Sequence, residues 1–316
     1  MKTRFLCLLL SVLMLCAPAY AQTVVGDLDA RLNAGRVEFE GVSYRPRRRL
    51  TSILLIGTDR HADDTAYQDY RSGGQADFLV LLVVDDNAET VVPIQLNRDT
   101  MAEIMTLSSF GQEMGLMTSQ LCLAHSYGDG AGKSCELTRD AVSRLLGDIT
   151  IDNYVSLNLD GIPVLNDLLG GVTVTLEDDF SAYDPTMTPG TTLVLRGPQA
   201  EYFVRMRYYV GDASNVSRLS RQKVYMQGAA AQLRQKLGEN ASFASTLFDT
   251  LSPYLTSDMA RGRMINMAER ANRYEILPMV EIPGQGWVGQ SGHMEFYPDE
   301  TALRRIILSV FYDRIS

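Results

Sequence analysis

The sequence predicts an α/β sandwich, on three observations: apolar runs of strand length alternate with helical patterns, turn residues separate them, and no linker, repeat or low-complexity tract divides the chain. Ile53-Leu54-Leu55-Ile56 reads as a buried strand that ends in the turn-forming Gly57-Thr58-Asp59, so an aspartate stands where the strand meets its loop. Residues 78–84 form a second apolar run, Asp85-Asp86-Asn87 turns the chain, and residues 91–96 return beside it. Asp85 and Asp86 therefore read as turn residues and not as ligands. Residues 136–146 show helical periodicity through Leu137, Ala141, Val142, Leu145 and Leu146, with Gly147 in the stop position. Residues 154–159 alternate like a half-buried strand, and a short helix to Leu169 leads into a strand over 172–176. From Asn215 to Leu237 the spacing of Val216, Leu219, Val224, Met226, Leu233 and Leu237 predicts one long amphipathic helix. Two further helices, a strand within 276–282 and a helix over about residues 300–312 complete the chain.

The start of the chain has the pattern of a secretory signal peptide over residues 1–21. Lys2 and Arg4 precede the apolar stretch 5–17, and Ala19-Tyr20-Ala21 offers a small-x-small cleavage site before Gln22. The apolar stretch is shorter than the roughly 20 residues a membrane-crossing helix needs, so cleavage is expected rather than retention as an anchor. Residues 22–49 then form an N-terminal extension and residues 50–316 a single domain. The formal net charge of −9 becomes −11 once the two positive charges of Lys2 and Arg4 are removed, which excludes nucleic acid as a partner class. Of the four cysteines only Cys122 and Cys135 survive processing. In an exported protein they are expected to form one disulfide closing a surface loop, worth about 3 kcal/mol by loop entropy. His125 lies nearby, but the spacing matches no common zinc pattern, and His61, His125 and His293 form no spaced motif.

The candidate chemistry lies in arginines and aspartates. Arg205 and Arg207, two apart in the run Tyr202-Phe203-Val204-Arg205-Met206-Arg207, would share one face of a strand. Arg218, Arg221 and Gln222 fall three and four apart on the long helix, so they share one side with their donors facing out. Arg98 follows the third strand directly in Asn97-Arg98-Asp99-Thr100. Like charges gathered in an acidic chain call for an anion, and the planar guanidinium fork suits phosphate oxygens. Asp59 and Asp77 are hard oxygen donors beside strand ends, the type magnesium prefers, with manganese as an alternative. Each of these residues read singly also fits a bland role, a surface ion pair or a turn cap. The run Arg45, Arg47, Arg48, Arg49 either touches anionic lipid at a membrane surface or is simply solvated. Trp287, Phe296 and Tyr297 read as packing residues in preference to sugar-binding ones.

The order of the pieces resembles the LytR-CpsA-Psr family. The stretches that carry the resemblance are Ile53 through Asp59, Gly74-Gln75-Ala76-Asp77, Asn97-Arg98-Asp99-Thr100, Tyr154 through Gly161, Leu169-Gly170-Gly171-Val172, Val204-Arg205-Met206-Arg207-Tyr208 and Arg218-Leu219-Ser220-Arg221-Gln222. The resemblance implies an α/β/α sandwich, a central mixed sheet flanked by helices, with an apolar pocket for a polyprenyl chain. It further implies Asp59 and Asp77 on Mg²⁺, and Arg98, Arg205, Arg207, Arg218, Arg221 and Gln222 on a pyrophosphate. The implied reaction is transfer of a phosphorylated glycan from a polyprenyl pyrophosphate carrier to peptidoglycan sugar hydroxyls, outside the bacterial membrane. Arg98, Asp99, Arg205 and Arg207 are the candidate catalytic groups, Asp99 as an orienting or proton-accepting one. Hydrolysis of the same lipid pyrophosphate, and non-catalytic binding of lipid-linked glycans, are the rival readings. Two departures touch the site: the family's Arg-Ser-Asp-Thr stands here as Gln75-Ala76-Asp77-Phe78, and Asn97 replaces the proline before the Arg-Asp pair.

Overall fold

The computed structural model describes residues 35–61, 73–240 and 242–315; the expected signal peptide lies outside them. In chain order, β1 (Val37–Phe39), β2 (Val42–Pro46), β3 (Leu50–Thr58), β4 (Ala76–Asp85) and β5 (Thr90–Leu96) precede a hairpin of β6 (Met101–Leu107) and β7 (Glu113–Gln120). Helices α1 (Leu123–Ser126) and α2 (Gly132–Leu145) lead to β8 (Asn153–Leu157), α3 (Gly161–Leu168), β9 (Thr173–Thr175) and β10 (Thr192–Val194). Next come α4 (Pro198–Arg205), α5 (Asn215–Glu239), α6 (Phe243–Leu251), β11 (Leu255–Ser257) and α7 (Arg261–Ala271). The chain closes with β12 (Glu275–Ile276), β13 (Val280–Glu281), β14 (Gly284–Val288), β15 (Met294–Pro298), α8 (Glu300–Phe311) and β16 (Tyr312–Ile315).

The central sheet runs β11-β8-β3-β4-β5-β12, with β13 also on β5. It is mixed: β3, β4 and β5 are antiparallel neighbours, whereas β8 runs parallel to β3. Both faces are covered, which is why β3 and β4 read as nearly continuous apolar runs and not as alternating ones. Leu54, Ile56, Leu81 and Ile94 pack on one side with Ala141 and Val142 of α2 and Ile307 and Phe311 of α8. On the other side Ile53, Val84 and Val91 meet Met267 of α7, and a separate core around Val172, Phe180 and Phe203 packs α3 to α6. Turn chemistry acts as expected between β4 and β5, where the Asp85 carboxylate accepts the N–H groups of Asn87 (2.8 Å) and Ala88 (3.0 Å). Ser214 caps α5 by accepting from Ser217 N at 3.0 Å, and Asp299 caps α8 through Ala302 N at 2.9 Å.

Two expectations are corrected. The run over residues 202–207 is not a strand: residues 198–205 are helical, opened by Pro198 at the first turn after Gly197 at φ 46°. Ala200, Phe203 and Val204 form its buried stripe, and Glu201 pairs with Arg205 one turn on at 3.1 Å. Cys122 and Cys135 form no disulfide; both thiols are buried and free. Cys122 lies against the Arg98 guanidinium and Cys135 near His125, in different surroundings of the core. The stretch ahead of residue 50 supplies β1 and β2, which with β16 form a three-stranded sheet that joins the two ends of the described chain. Within it Arg47 donates to the carbonyls of Tyr312 (3.1 Å) and Ser309 (2.9 Å), and Arg45 pairs with Asp313, while Arg48 and Arg49 stay exposed.

Candidate active site

The sheet brings the candidate residues together by register. Gly57 on β3 pairs with Phe78 on β4, Leu96 on β5 pairs with Leu79, and Leu157 on β8 pairs with Gly57, so Asp59, Asp77 and Arg98 emerge at one edge. Three strands end there with their carboxyl ends, the side of an α/β sheet where ligands bind. Asp77 is the hub. Its Oδ1 accepts from Nη1 of Arg98, and its Oδ2 from Nη1 of Arg218 at 3.3 Å. Arg98 also donates to Gln75 Oε1 and to Cys122 Sγ (3.0 Å), and its Nε lies 3.3 Å from Asp99 Oδ1. Arg218 donates through Nη2 to Asn215 Oδ1 at 2.7 Å, and Asn215 Nδ2 donates to Asn97 Oδ1 at 2.9 Å. Asn97 Oδ1 accepts Asp99 N (3.0 Å), and Asp99 Oδ1 accepts Gln120 Nε2 (3.1 Å).

Charge is held here out of water. Burial, with the charges of Arg98 and Arg207 adding to it, pushes the Arg218 guanidinium down to about 10, against partial relief from Asp77. Arg218 Nε is buried without a hydrogen-bond partner, as is Gln222 Oε1. An unsatisfied donor on a buried guanidinium, among other cations, is a place prepared for an oxyanion. Burial also raises Asp99 above the usual carboxylate range although Arg98, Arg218 and Arg207 oppose it. Asp59 is raised by burial and by the charge of Asp77, while the Gln75 N–H bonded to its Oδ1 at 2.6 Å pulls the other way.

Behind this polar cluster opens a cavity of about 250 Å³. Leu55, Val155, Leu157, Tyr225, Phe248 and Leu251 are among its apolar walls, and Asp77, Arg205, Arg218 and Gln222 are its polar lining. The outward-facing donors expected on α5 are corrected here: Arg218, Arg221 and Gln222 all point inward and are buried. Arg218 and Gln222 reach the cavity, but Arg221 has another task. It donates to the carbonyls of Phe203 (2.9 Å) and Met206 (2.7 Å) and lies 5.1 Å from the centroid of the Phe180 ring, which pins the end of α4. Arg205 and Arg207 thus come to the site from a helix end that Arg221 anchors. Asn215 and Gln120 are site residues that sequence reasoning does not single out, and Asn97, noted only as replacing a proline, bridges to Asn215; the signal for Asn215 is its place three residues before Arg218 on the same helix. Cys122 was read as a crosslink, whereas burial holds it as a thiol, pushed up to about 11, against Arg98.

Among the described residues no group of three or more His, Cys, Asp or Glu side chains could hold a metal ion. The two neighbouring carboxylates Asp59 and Asp77 still suit magnesium, which commonly takes one or two carboxylates and completes its shell with water and substrate phosphate.

A family model, the LytR_cpsA_psr family, matches residues 26–307. The chain belongs to the LytR_cpsA_psr family. Among relatives within reach of sequence comparison is the polyisoprenyl-teichoic acid–peptidoglycan teichoic acid transferase TagU of Halalkalibacterium halodurans, 27% identical over 239 residues, spanning 74% of this chain and 70% of that protein. The biofilm regulatory protein A of Streptococcus mutans is 31% identical over 165 residues, 50% of this chain and 38% of that protein. Among solved structures, TagT bound to LI-WTA matches with a TM-score of 0.63 at 20% identity, over 87% of this chain and 92% of that one. Protein gbs0355 of Streptococcus agalactiae gives 0.64 at 22% identity, over 82% and 87%. At such identities the structures share the LytR_cpsA_psr fold, the mixed sheet with flanking helices described above.

Proposed function

We propose that this protein is a magnesium-assisted phosphotransferase that moves a phosphorylated glycan from a polyprenyl pyrophosphate carrier to a sugar hydroxyl of peptidoglycan, on the outer side of the bacterial membrane. The observation that carries the reading is an apolar cavity that ends on Arg218, a buried guanidinium with an unsatisfied Nε, beside Arg205 and Gln222, with Arg98 sharing the Asp77 carboxylate with Arg218. A prenyl chain fits the apolar walls, and its pyrophosphate meets Arg218, Arg205 and Gln222 at the polar end, with Arg98 and Arg207 close behind. The names of the TagU relatives agree with this substrate class, and the signal-peptide pattern agrees with the location.

Asp59 and Asp77 would hold the magnesium ion, which would neutralise charge on the pyrophosphate oxygens. The remaining work belongs to the side chains. Arg98 and Arg218, already fixed by Asp77 and Asn215, need no reordering to meet charge that builds on the leaving prenyl phosphate. The acceptor hydroxyl oxygen attacks the glycan-bearing phosphorus, the bond from phosphorus to the prenyl phosphate oxygen breaks, and the hydroxyl proton passes to the Asp99 carboxylate. Burial makes Asp99 a better proton acceptor than an ordinary carboxylate, and Gln120 orients it. The cavity supplies the test: Leu157→Trp should fill the prenyl channel and abolish binding of a short-chain prenyl pyrophosphate while the melting temperature holds. Undiminished binding in that variant would remove the cavity from the account.

A further inference from the structure

The hairpin of β14 and β15 carries an aromatic platform that the reaction described above does not use. Trp287 and Tyr297 stack at 4.6 Å between ring centroids and 11° between planes, yet remain 48% and 39% exposed. The exposed ring area leaves the stacked pair open to a further flat apolar partner. Trp287 pairs with Glu295 and Gln285 with Tyr297 in the antiparallel register, so all four side chains stand on one face. Tyr297 donates its hydroxyl to Glu295 Oε2 at 2.8 Å, and Glu295 forms no ion pair among the described residues. Flat apolar rings edged by a carboxylate and an amide match the two sides of a pyranose, its C–H face and its rim of hydroxyls.

The hairpin is fixed to the reacting end of the molecule. Phe296 N donates to the Asp99 carbonyl at 2.9 Å, and Thr100 and Phe296 form an isolated β-bridge. The Gln120 amide nitrogen donates to both Asp99 Oδ1 (3.1 Å) and the Met294 carbonyl (2.7 Å), so one side chain joins the hairpin to the proposed proton acceptor. Charge selects the occupant. The donor's pyrophosphate belongs among Arg98, Arg207 and Arg218, whereas the platform carries the Glu295 carboxylate, which no cation neutralises among the described residues, and repels polyanions. The geometry points to an acceptor subsite: the Trp287–Tyr297 face binds an uncharged glycan strand and presents its hydroxyl toward Asp99. This assignment rests on the transferase reading for its purpose, but its test does not.

Trp287 is the sole tryptophan of the chain, so its emission reports on the platform alone. The mature protein is titrated with a β-1,4-linked N-acetylglucosamine hexamer, with fluorescence and calorimetry run side by side. The expected result is a saturable emission change, binding weakened about tenfold by Trp287→Ala, and partial retention in Trp287→Phe. Binding of a short-chain prenyl pyrophosphate should be equal in all three proteins. Absence of both heat and emission change at millimolar hexamer, or equal hexamer affinity in wild type and Trp287→Ala, overturns the assignment. An emission response to prenyl pyrophosphate in place of hexamer also overturns it, by giving the platform to the donor. Loss of prenyl pyrophosphate binding by the wild type counts against the transferase reading and leaves the hexamer titration standing.

Discussion

Replacing Arg218 should separate stability from function in a direction that a structural arginine cannot reproduce. The side chain is 2% exposed, and its guanidinium is pushed from 12.5 to about 10, chiefly by burial. At 1.36 kcal/mol for each tenfold change in proton affinity, that displacement means the fold carries the charge at a cost on the order of 3 kcal/mol. The sign follows from the lowered value: the folded state disfavours the charged form at every pH below 12.5. Asp77 keeps Arg98 as a partner when Arg218 is removed, so no bare carboxylate is left buried. Arg218→Met, which fills most of the same space, should therefore hold the melting temperature near that of the wild type, relief of the buried charge offsetting the hydrogen bond that Asn215 loses. Headgroup affinity should fall, because charge-assisted hydrogen bonds are worth about 1.5 to 3 kcal/mol each. Loss of even one means a drop of about tenfold or more in affinity for a short-chain prenyl pyrophosphate. Arg218→Lys should recover part of this, since it keeps the charge and loses the fork. The assay is a thermal melt paired with calorimetric titration of the three proteins. A lowered melting temperature with unchanged affinity would refute the reasoning and make Arg218 a structural ion pair.

Four other outcomes are expected. Asp59→Ala should remove magnesium-dependent turnover and leave the melting temperature within about 1 kcal/mol equivalent, since this partly buried carboxylate is already raised; a magnesium titration that overlays the wild type would contradict this. Arg221→Ala should lower the melting temperature, by about 2 kcal/mol for two lost hydrogen bonds, and reduce transfer through the loosened end of α4; unaltered stability would contradict the anchoring role. Because burial raises Asp99, the acid limb of the transfer rate should lie above the ordinary 3.8. The carboxylate is the active form, so the rate falls as pH drops through the raised value; a limb at or below 3.8, read from the pH profile, would clear Asp99 of proton transfer. Cys122 and Cys135, pushed up by burial to about 11 and 12, should resist alkylation in the native protein and both react after unfolding without reductant; intact mass decides, and unreactive thiols in the unfolded, non-reduced protein would restore the crosslink.

The sheet strands and the long helix were legible because each is long and obeys one period. β3 and β4 carry the apolar runs Ile53–Ile56 and Phe78–Val84, Asp85 marks the turn into β5, and α5 repeats its apolar spacing along a 25-residue helix. The end of α4 was not, because Val204, Met206 and Tyr208 alternate with Arg205 and Arg207 over a span too short to tell a strand from a helix. There the deciding residues were Gly197 and Pro198, upstream of the run. Spacing gave the company of Arg218, Arg221 and Gln222 correctly but not their direction, since a helix face says which side chains share a side and not what that side meets. Arg221 is bound to backbone carbonyls at Phe203 and Met206, partners that no sequence pattern names. The cysteine pair failed for a similar reason: separation along the chain permits a crosslink, but Cys122 is drawn to Arg98 and Cys135 to the neighbourhood of His125. Asp59, Asp77, Arg98 and Asp99 come together because strand ends converge at one end of the sheet, a proximity that the sequence suggests only through their places beside apolar runs.

The central claim is group transfer from a prenyl carrier at the arginine-lined end of the cavity. It is tested most directly with a short-chain prenyl pyrophosphate glycan labelled in the sugar, incubated with peptidoglycan and magnesium. Label is expected in the peptidoglycan, matched by an equal amount of prenyl phosphate, with both lost in Arg98→Ala and Arg218→Met. Label released as free phosphorylated glycan whether or not peptidoglycan is present, or bound donor with no prenyl phosphate formed, would contradict it.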